Sequence, residues 1–317
     1  MSLQLRADET VPDGIRRIAY ELLDPAIADL QSVPEERRTR ITHRNRPLRA
    51  SDRTRFQKSV HETRKRMKRM RSLLRLIRDE IGEDAYRFEN DSYRDTSRIL
   101  ADVRDAQVMI NTLDHLADLL GEDVPPVLLA DVRRSLIGNL GAASRTITSR
   151  GAVDQALGRL QRARDRVSGW PLHHDSFKAL AGGMQRVYKR GQDDFEVALE
   201  LRTVESFHEW RKRTKYLWYQ LDLVSPAWPK VIGSMADELE EVSDLLGDDH
   251  DLAVLSDRVT GRPDRFGSGA DVQRLVLSIE ARREEMEEQA VELGRRLYAE
   301  PPSAFIERVG AYWDAWR

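Results

Sequence analysis

At 317 residues the chain is long enough for one large domain or two of ordinary size, and charged residues at 33% against a formal net charge of -2 suit long amphipathic helices. It has no cysteine, which excludes disulfides, thiolate zinc sites and cysteine nucleophiles together. No stretch approaches the ~20 apolar residues of a membrane-spanning helix, and the opening MSLQLRADETVPDG lacks the apolar region of a secretion signal, so the expectation is a cytoplasmic protein with no membrane insertion.

Apolar residues recur at helical spacing along the chain, and no stretch alternates with period two between turn residues, so the expected fold is all-α. The first helix spans 12–32, where Ile15, Ile18, Leu22 and Leu23 share one face. An irregular basic connection follows from residue 33 to 52. Between residues 37 and 78 there are seventeen Lys or Arg against Asp52 and Glu62, so a near-neutral total hides strongly separated charge.

The second helix, 53–79, contains HETRKRMK at residues 61–68. On a helix, His61, Arg64, Lys65, Lys68 and Arg75 fall within an arc of roughly 100°. Phe56, Thr63, Met67, Met70, Leu74 and Ile77 form the opposite, buried stripe. Helices are then expected at 83–120, 126–148 and 152–168, followed by the breaker Gly169-Trp170-Pro171. His173 and His174 diverge by about 100° on a helix and are read as loop or cap residues at the start of a helix over 174–200. That helix carries a further basic cluster, Tyr188-Lys189-Arg190-Gly191.

The helix over 202–224 repeats the earlier pattern. Residues 208–215 read HEWRKRTK, identical to residues 61–68 at six of eight positions. His208, Arg211, Lys212 and Lys215 share one face, and Trp210, Thr214, Leu217, Leu221 and Val224 the other. The next helix, 229–259, carries eight acids and no Lys or Arg between residues 237 and 251. Within it, residues 245–254 align with 99–108 at an offset of 146, nearly that of the first repeat. Two motifs in one order at one displacement argue for an internal duplication, with halves 1–170 and 171–317. The last two helices are expected at 270–297 and 302–316.

A solvated helix face ordinarily mixes signs. Residues 63–78 instead hold eight Lys or Arg and no acid. The compensating charge comes either from the acidic run at 237–251 or from an external polyanion, and two copies of one basic face favour the second. Arg forks and Lys point charges satisfy phosphate without requiring a base. A nucleic acid is the alternative partner, since Tyr216, Trp218 and Tyr219 could offer stacking platforms. Each histidine heads its basic stripe and is read as a phosphate donor, not as an acid-base catalyst.

Enzymatic patterns are weak. His61-Glu62 and His208-Glu209 begin like the HExxH zinc motif, but Lys65 and Lys212 stand where its second histidine belongs. His250-Asp251 fits a metal-dependent phosphohydrolase only as a dipeptide, and the duplicated element is the aspartate, since Asp105 is preceded by Arg104. No P-loop, dinucleotide-binding or nucleophile-elbow motif is present. The expectation is a protein with no catalytic residues, no metal and no cofactor.

HxxRKxxKRMR at 61–71, VRD at 103–105, YKRG at 188–191, HEWRKRTKYLWY at 208–219 and LGDDHDLAVL at 246–255 together resemble the CHAD domain, the conserved histidine α-helical domain. The resemblance runs over roughly residues 10–316. It implies two pseudo-symmetric four-helix halves around a basic central cavity or pore that binds inorganic polyphosphate, and an association with polyphosphate granules. The phosphate contacts it implies are His61, Arg64, Lys65, Lys68, Arg69, Arg71, His208, Arg211, Lys212 and Lys215, with Lys189 and Arg190 beside them. Arg75 joins these through its place on the first stripe. The chain departs from the family at Trp218, where an arginine is usual and a shorter second basic face is expected, and at Gln107 in place of an aspartate.

Overall fold

Helix α1 (Val11–Gln31) begins where Thr10 Oγ1 accepts the Asp13 N–H at 3.2 Å and Pro12 occupies the first turn. These cap an N-terminus whose first N–H groups otherwise lack partners. In the computed structural model, which describes residues 3–33, 50–120, 124–149, 151–261, 266 and 269–317, the described residues contain helices and no strand. The expected irregular connection therefore falls largely, at 34–49, outside the described residues, as do 121–123, 262–265 and 267–268 in the expected breakers.

After α1 come α2 (Ala50–Leu76), the one-turn α3 (Arg78–Ile81), α4 (Glu83–Ile99), α5 (Ala101–Leu120), α6 (Pro126–Ser149) and α7 (Ala152–Arg166). Then follow α8 (Lys178–Leu201), α9 (Val204–Val224), α10 (Ser234–Thr260), α11 (Gly269–Leu297) and α12 (Pro302–Trp316). Their ends agree with the sequence pattern to within a few residues, with one correction. The expected single helix over 83–120 is two, because the chain leaves helical geometry at Leu100 (φ -100°, ψ 7°). Leu100 is fully buried, and its N–H reaches back to Ser97 O at 3.3 Å. Neither glycine nor proline marks the break. The helix expected from residue 174 starts at Lys178, and His173 and His174, read as loop or cap residues, lie in the connection before it, where His174 Nδ1 sits 2.6 Å from Glu80 Oε1.

α2 packs against α1 and α4, and α7 closes that group. α9 packs against α8 and α10, with α11 against α10 and, at Gly294, close on Trp210 of α9 and Phe195 of α8, and α12 against α8. The groups meet where α2 lies on α8 and α9, and α5 on α10. The crossing of α2 and α9 is tight: Ser72 Oγ donates to Tyr216 O at 2.8 Å, and Gln220 Nε2 to Ser72 O at 3.3 Å, all buried.

The two repeated helices bury the predicted stripes. Phe56, Thr63, Met67, Met70 and Leu74 on α2, and Ile77 just past its end, are all at most 2% exposed, as are Trp210, Thr214, Leu217, Leu221 and Val224 on α9. At ~1.5–3 kcal/mol for each large apolar side chain removed from water, these stripes fix how both helices are rotated. The basic faces are therefore turned away from the core by packing, independently of any ligand.

Candidate anion-binding site

The rotation of α2 and α9 brings their basic faces together with α5 and α10. Arg211 Nε donates to Ser243 O at 3.0 Å, and Lys215 Nζ to Ser243 Oγ at 3.3 Å, which ties α9 to α10. Arg211 lies flat across Gly247: a β-carbon there would stand 2.4 Å from Nη2. On α2, Arg64 Nη1 donates to Ser97 O, and Nη2 sits 3.6 Å from Asp105 Oδ1. Arg64 and Arg211 are 147 apart, and Ser97 and Ser243 are 146 apart, so one arginine-to-carbonyl contact occurs twice at the displacement of the sequence repeat.

Lys68 is the centre of this junction. Its side chain is exposed to solvent, although many protein atoms crowd around it. Loss of hydration lowers its ammonium to about 7, and Arg211, Lys215, Arg64 and Arg104 push it the same way. Burial and the neighbouring Arg211 likewise lower Lys215 to about 8. Among the described residues no carboxylate lies within 4.0 Å of Lys65, Lys68 or Arg104, so three cations of the junction have no ion-pair partner.

Arg104 on α5 is a site residue that sequence reasoning missed. Burial lowers its guanidinium, Asp251 offsets this, and Arg64 and Arg211 add to it, so it belongs to the cationic cluster. The signal was available: position 104 aligns with His250 in the second motif pair. Arg104 also lines a cleft of about 330 Å³ with Asn111, His115, Asp248, Asp251 and Arg282.

The histidines flank the cluster. Burial lowers His61, with Arg104 adding to the effect. Burial and then His250, whose ring centroid is 4.3 Å away, lower His208 to about 4. His208 Nδ1 is buried without a protein partner. A neutral imidazole can still donate one N–H to an anion.

Not every predicted residue joins the junction. Arg69 instead lies 5.0 Å over the Tyr219 ring and 6.0 Å from that of Trp218, with Asp222 3.9 Å away. Trp218 and Tyr219 are buried, and Trp218 also supports Lys215 at 5.1 Å. Thus the tryptophan that replaces an arginine braces two cations by cation–π contact. Arg71 and Arg75 turn to the other side of the α2–α9 crossing: Arg71 Nε and Arg75 Nη1 both donate to Asn90 Oδ1, at 3.1 and 3.0 Å. Arg75 stacks 4.1 Å over Tyr216 and lines a small pocket with Arg78, Arg186, Arg190 and Arg213. Lys189 pairs with Asp193 at 2.9 Å and Lys212 pairs with Glu209. The thirteen predicted residues therefore divide between a central cluster flanked by the two histidines, Arg69 on the Trp218 and Tyr219 rings, a second arginine group, and surface ion pairs.

Among the described residues no group of three or more His, Asp or Glu is arranged to hold a metal ion, and no helix is long and apolar enough to cross a membrane. Fold and site define an all-helical protein with a cationic junction at the crossing of two repeated helices. The chain belongs to the CHAD domain family, whose model matches residues 15–260. It is similar in fold to the crystal structure of the CHAD domain from the plant Ricinus communis, with a TM-score of 0.59 and 18% identity, covering 95% of this chain and 96% of that one. No curated protein matches it.

Proposed function

We propose that the protein binds inorganic polyphosphate at the junction of α2, α5, α9 and α10. One observation carries this reading: Arg64, Lys65, Lys68, Arg104, Arg211 and Lys215 crowd together, and three of them have no carboxylate within ion-pair distance among the described residues. Like charges brought this close destabilise the free protein. A chain of phosphates supplies many acceptors to several such cations at once and relieves that cost. Lys68 and Lys215 gain charge in its presence, and the arginines offer paired N–H donors to its oxygens.

Binding, and not turnover, is the activity proposed. The nucleic-acid reading is less well supported, because Tyr216, Trp218 and Tyr219 are buried and already engaged with Arg75, Arg69 and Lys215, leaving no open stacking platform there. The expected place of action is the surface of cytoplasmic polyphosphate granules.

Titration with long-chain polyphosphate, beside single-stranded DNA of equal total charge, tests the reading. Polyphosphate should bind more tightly, and replacing Arg64, Lys68, Arg211 and Lys215 with alanine should abolish the difference while helicity is kept. A preference for DNA, or a folded variant with undiminished affinity, sinks it. Release of orthophosphate on addition of Mg²⁺ or Mn²⁺ would show catalysis instead.

A further inference from the structure

The acidic run of α10 is unused by the reading above, although part of it faces the same junction. Glu240, Asp244 and Asp248 follow one another at i, i+4 and i+8, within about 80° of helix arc. Ser243 and Gly247, which touch Lys215 and Arg211, lie beside this row and fix its direction toward the cations. The Glu240 carboxylate feels Lys65, Arg69 and Lys215; that of Asp244 feels Lys215; that of Asp248 feels Arg211. Yet among the described residues none of the three comes within 4.0 Å of a Lys or Arg nitrogen. They are neighbours of the basic cluster and not its ion-pair partners. Burial raises both Glu240 and Asp248; Asp244 adds to the effect on Glu240, and Asp251 and then Asp244 add to it on Asp248.

An anion entering the junction meets this row as well as the cations. A short anion confined to the junction has all its charge close to the carboxylates. A long chain contacts basic residues beyond the junction and can direct its path to skirt them.

We infer that Glu240, Asp244 and Asp248 are specificity-determining residues that make the junction discriminate by length, rejecting short phosphate anions and admitting long chains. The inference rests on the polyphosphate-binding reading and adds a selectivity to it. The carboxylates act by repulsion, the element a discriminating site adds to its attractive contacts.

The test compares tripolyphosphate with long-chain polyphosphate on the full chain, for the unaltered protein and for Glu240→Gln with Asp244→Asn. Removing two charges a few ångströms from the ligand should tighten tripolyphosphate binding about tenfold and long-chain binding by a clearly smaller factor, narrowing the ratio between them. Glu238→Gln, which removes a charge about 120° around α10 from Asp244, should leave the ratio unchanged. Circular dichroism checks that the double variant keeps its helices, and Asp244→Asn alone serves in its place if it does not. Equal gains for both ligands, no gain for tripolyphosphate, or the same narrowing with Glu238→Gln overturns the inference while leaving polyphosphate binding intact. If the unaltered protein binds neither ligand, the polyphosphate reading fails and the inference falls with it.

Discussion

Lys68 and Lys215 carry costs in the free protein that a bound polyanion would remove. Their ammonium groups stand at about 7 and about 8, against an ordinary 10.5. Between these values and 10.5 the unfolded chain binds more protons than the folded one, so stability rises with pH across that window. The penalty is fully present below about pH 7. Binding has the opposite dependence, because phosphate favours the charged lysines: affinity should weaken as pH rises through 7 and 8, with net proton uptake on complex formation. Calorimetry at pH 7.5 in two buffers of different ionisation enthalpy measures that uptake; proton release, or none, would contradict the assignment. Lys68→Met separates the two effects. Since the side chain keeps solvent contact, screening leaves only about 1 kcal/mol of the penalty, and the unliganded variant should melt about 2 °C higher while binding polyphosphate more weakly. A variant that melts lower would mean that Lys68 contributes net stability.

Two glycines show how helix packing and the site are linked. Gly247 sits within α10 under Arg211, and an added β-carbon would meet Nη2 at 2.4 Å and Cζ at 2.9 Å. These atoms belong to a flexible side chain that can move, and alanine is favoured over glycine in a helix by about 1 kcal/mol. Gly247→Ala should therefore change thermal stability little, the helix gain offsetting the Arg211–Ser243 O hydrogen bond it breaks, while releasing Arg211 from its anchored position and weakening polyphosphate binding about tenfold, the scale of one charge-assisted hydrogen bond. Gly183 presents the contrary case: its β-carbon would lie 2.0 Å from Leu76 O and 2.4 Å from Arg75 O. Only separation of α8 from α2 relieves a backbone clash, so Gly183→Ala should lower stability by about 2 kcal/mol or more, read as an earlier urea midpoint. The sequence made the repeated faces legible, since period and charge alone orient Arg64, Lys68, Arg211 and Lys215. It did not reveal the break at Leu100, which carries no glycine or proline, nor that α2 turns Arg71 and Arg75 past the Ser72–Tyr216 crossing. Helical spacing gives a direction around one axis; which neighbour crosses that axis, and where, depends on packing with elements distant in sequence. Arg104 is a different case: its alignment with His250 marks it in the sequence, and only its convergence with Arg64 and Arg211 depends on the packing of α5 against α2 and α10.

At the scale of the molecule, a net charge of -2 gives no hint of a polyanion partner. What governs association is the local field, and here cations from α2, α5 and α9 converge while much of the acid lies elsewhere on the chain. The two views differ in their dependence on salt. If six junction cations, Arg64, Lys65, Lys68, Arg104, Arg211 and Lys215, each contact the chain of phosphates, counterions are released on binding and log affinity falls linearly with log salt. With the ~0.7 per contact known for single-stranded nucleic acids, carried over by analogy, full engagement gives a slope of about -4. Lys65 has an exposed side chain and no ion-pair partner among the described residues, so Lys65→Ala should leave the fold intact and make the slope shallower by about 0.7. Glu238→Gln changes net charge by the same amount in the other direction but lies off the junction-facing row, and it should leave the slope where it was. Titrations of long-chain polyphosphate between about 50 and 300 mM salt, a range over which screening shortens steadily, distinguish these outcomes. A slope near zero, or one that follows net charge across both variants, would mean that the converged cations do not form the binding surface.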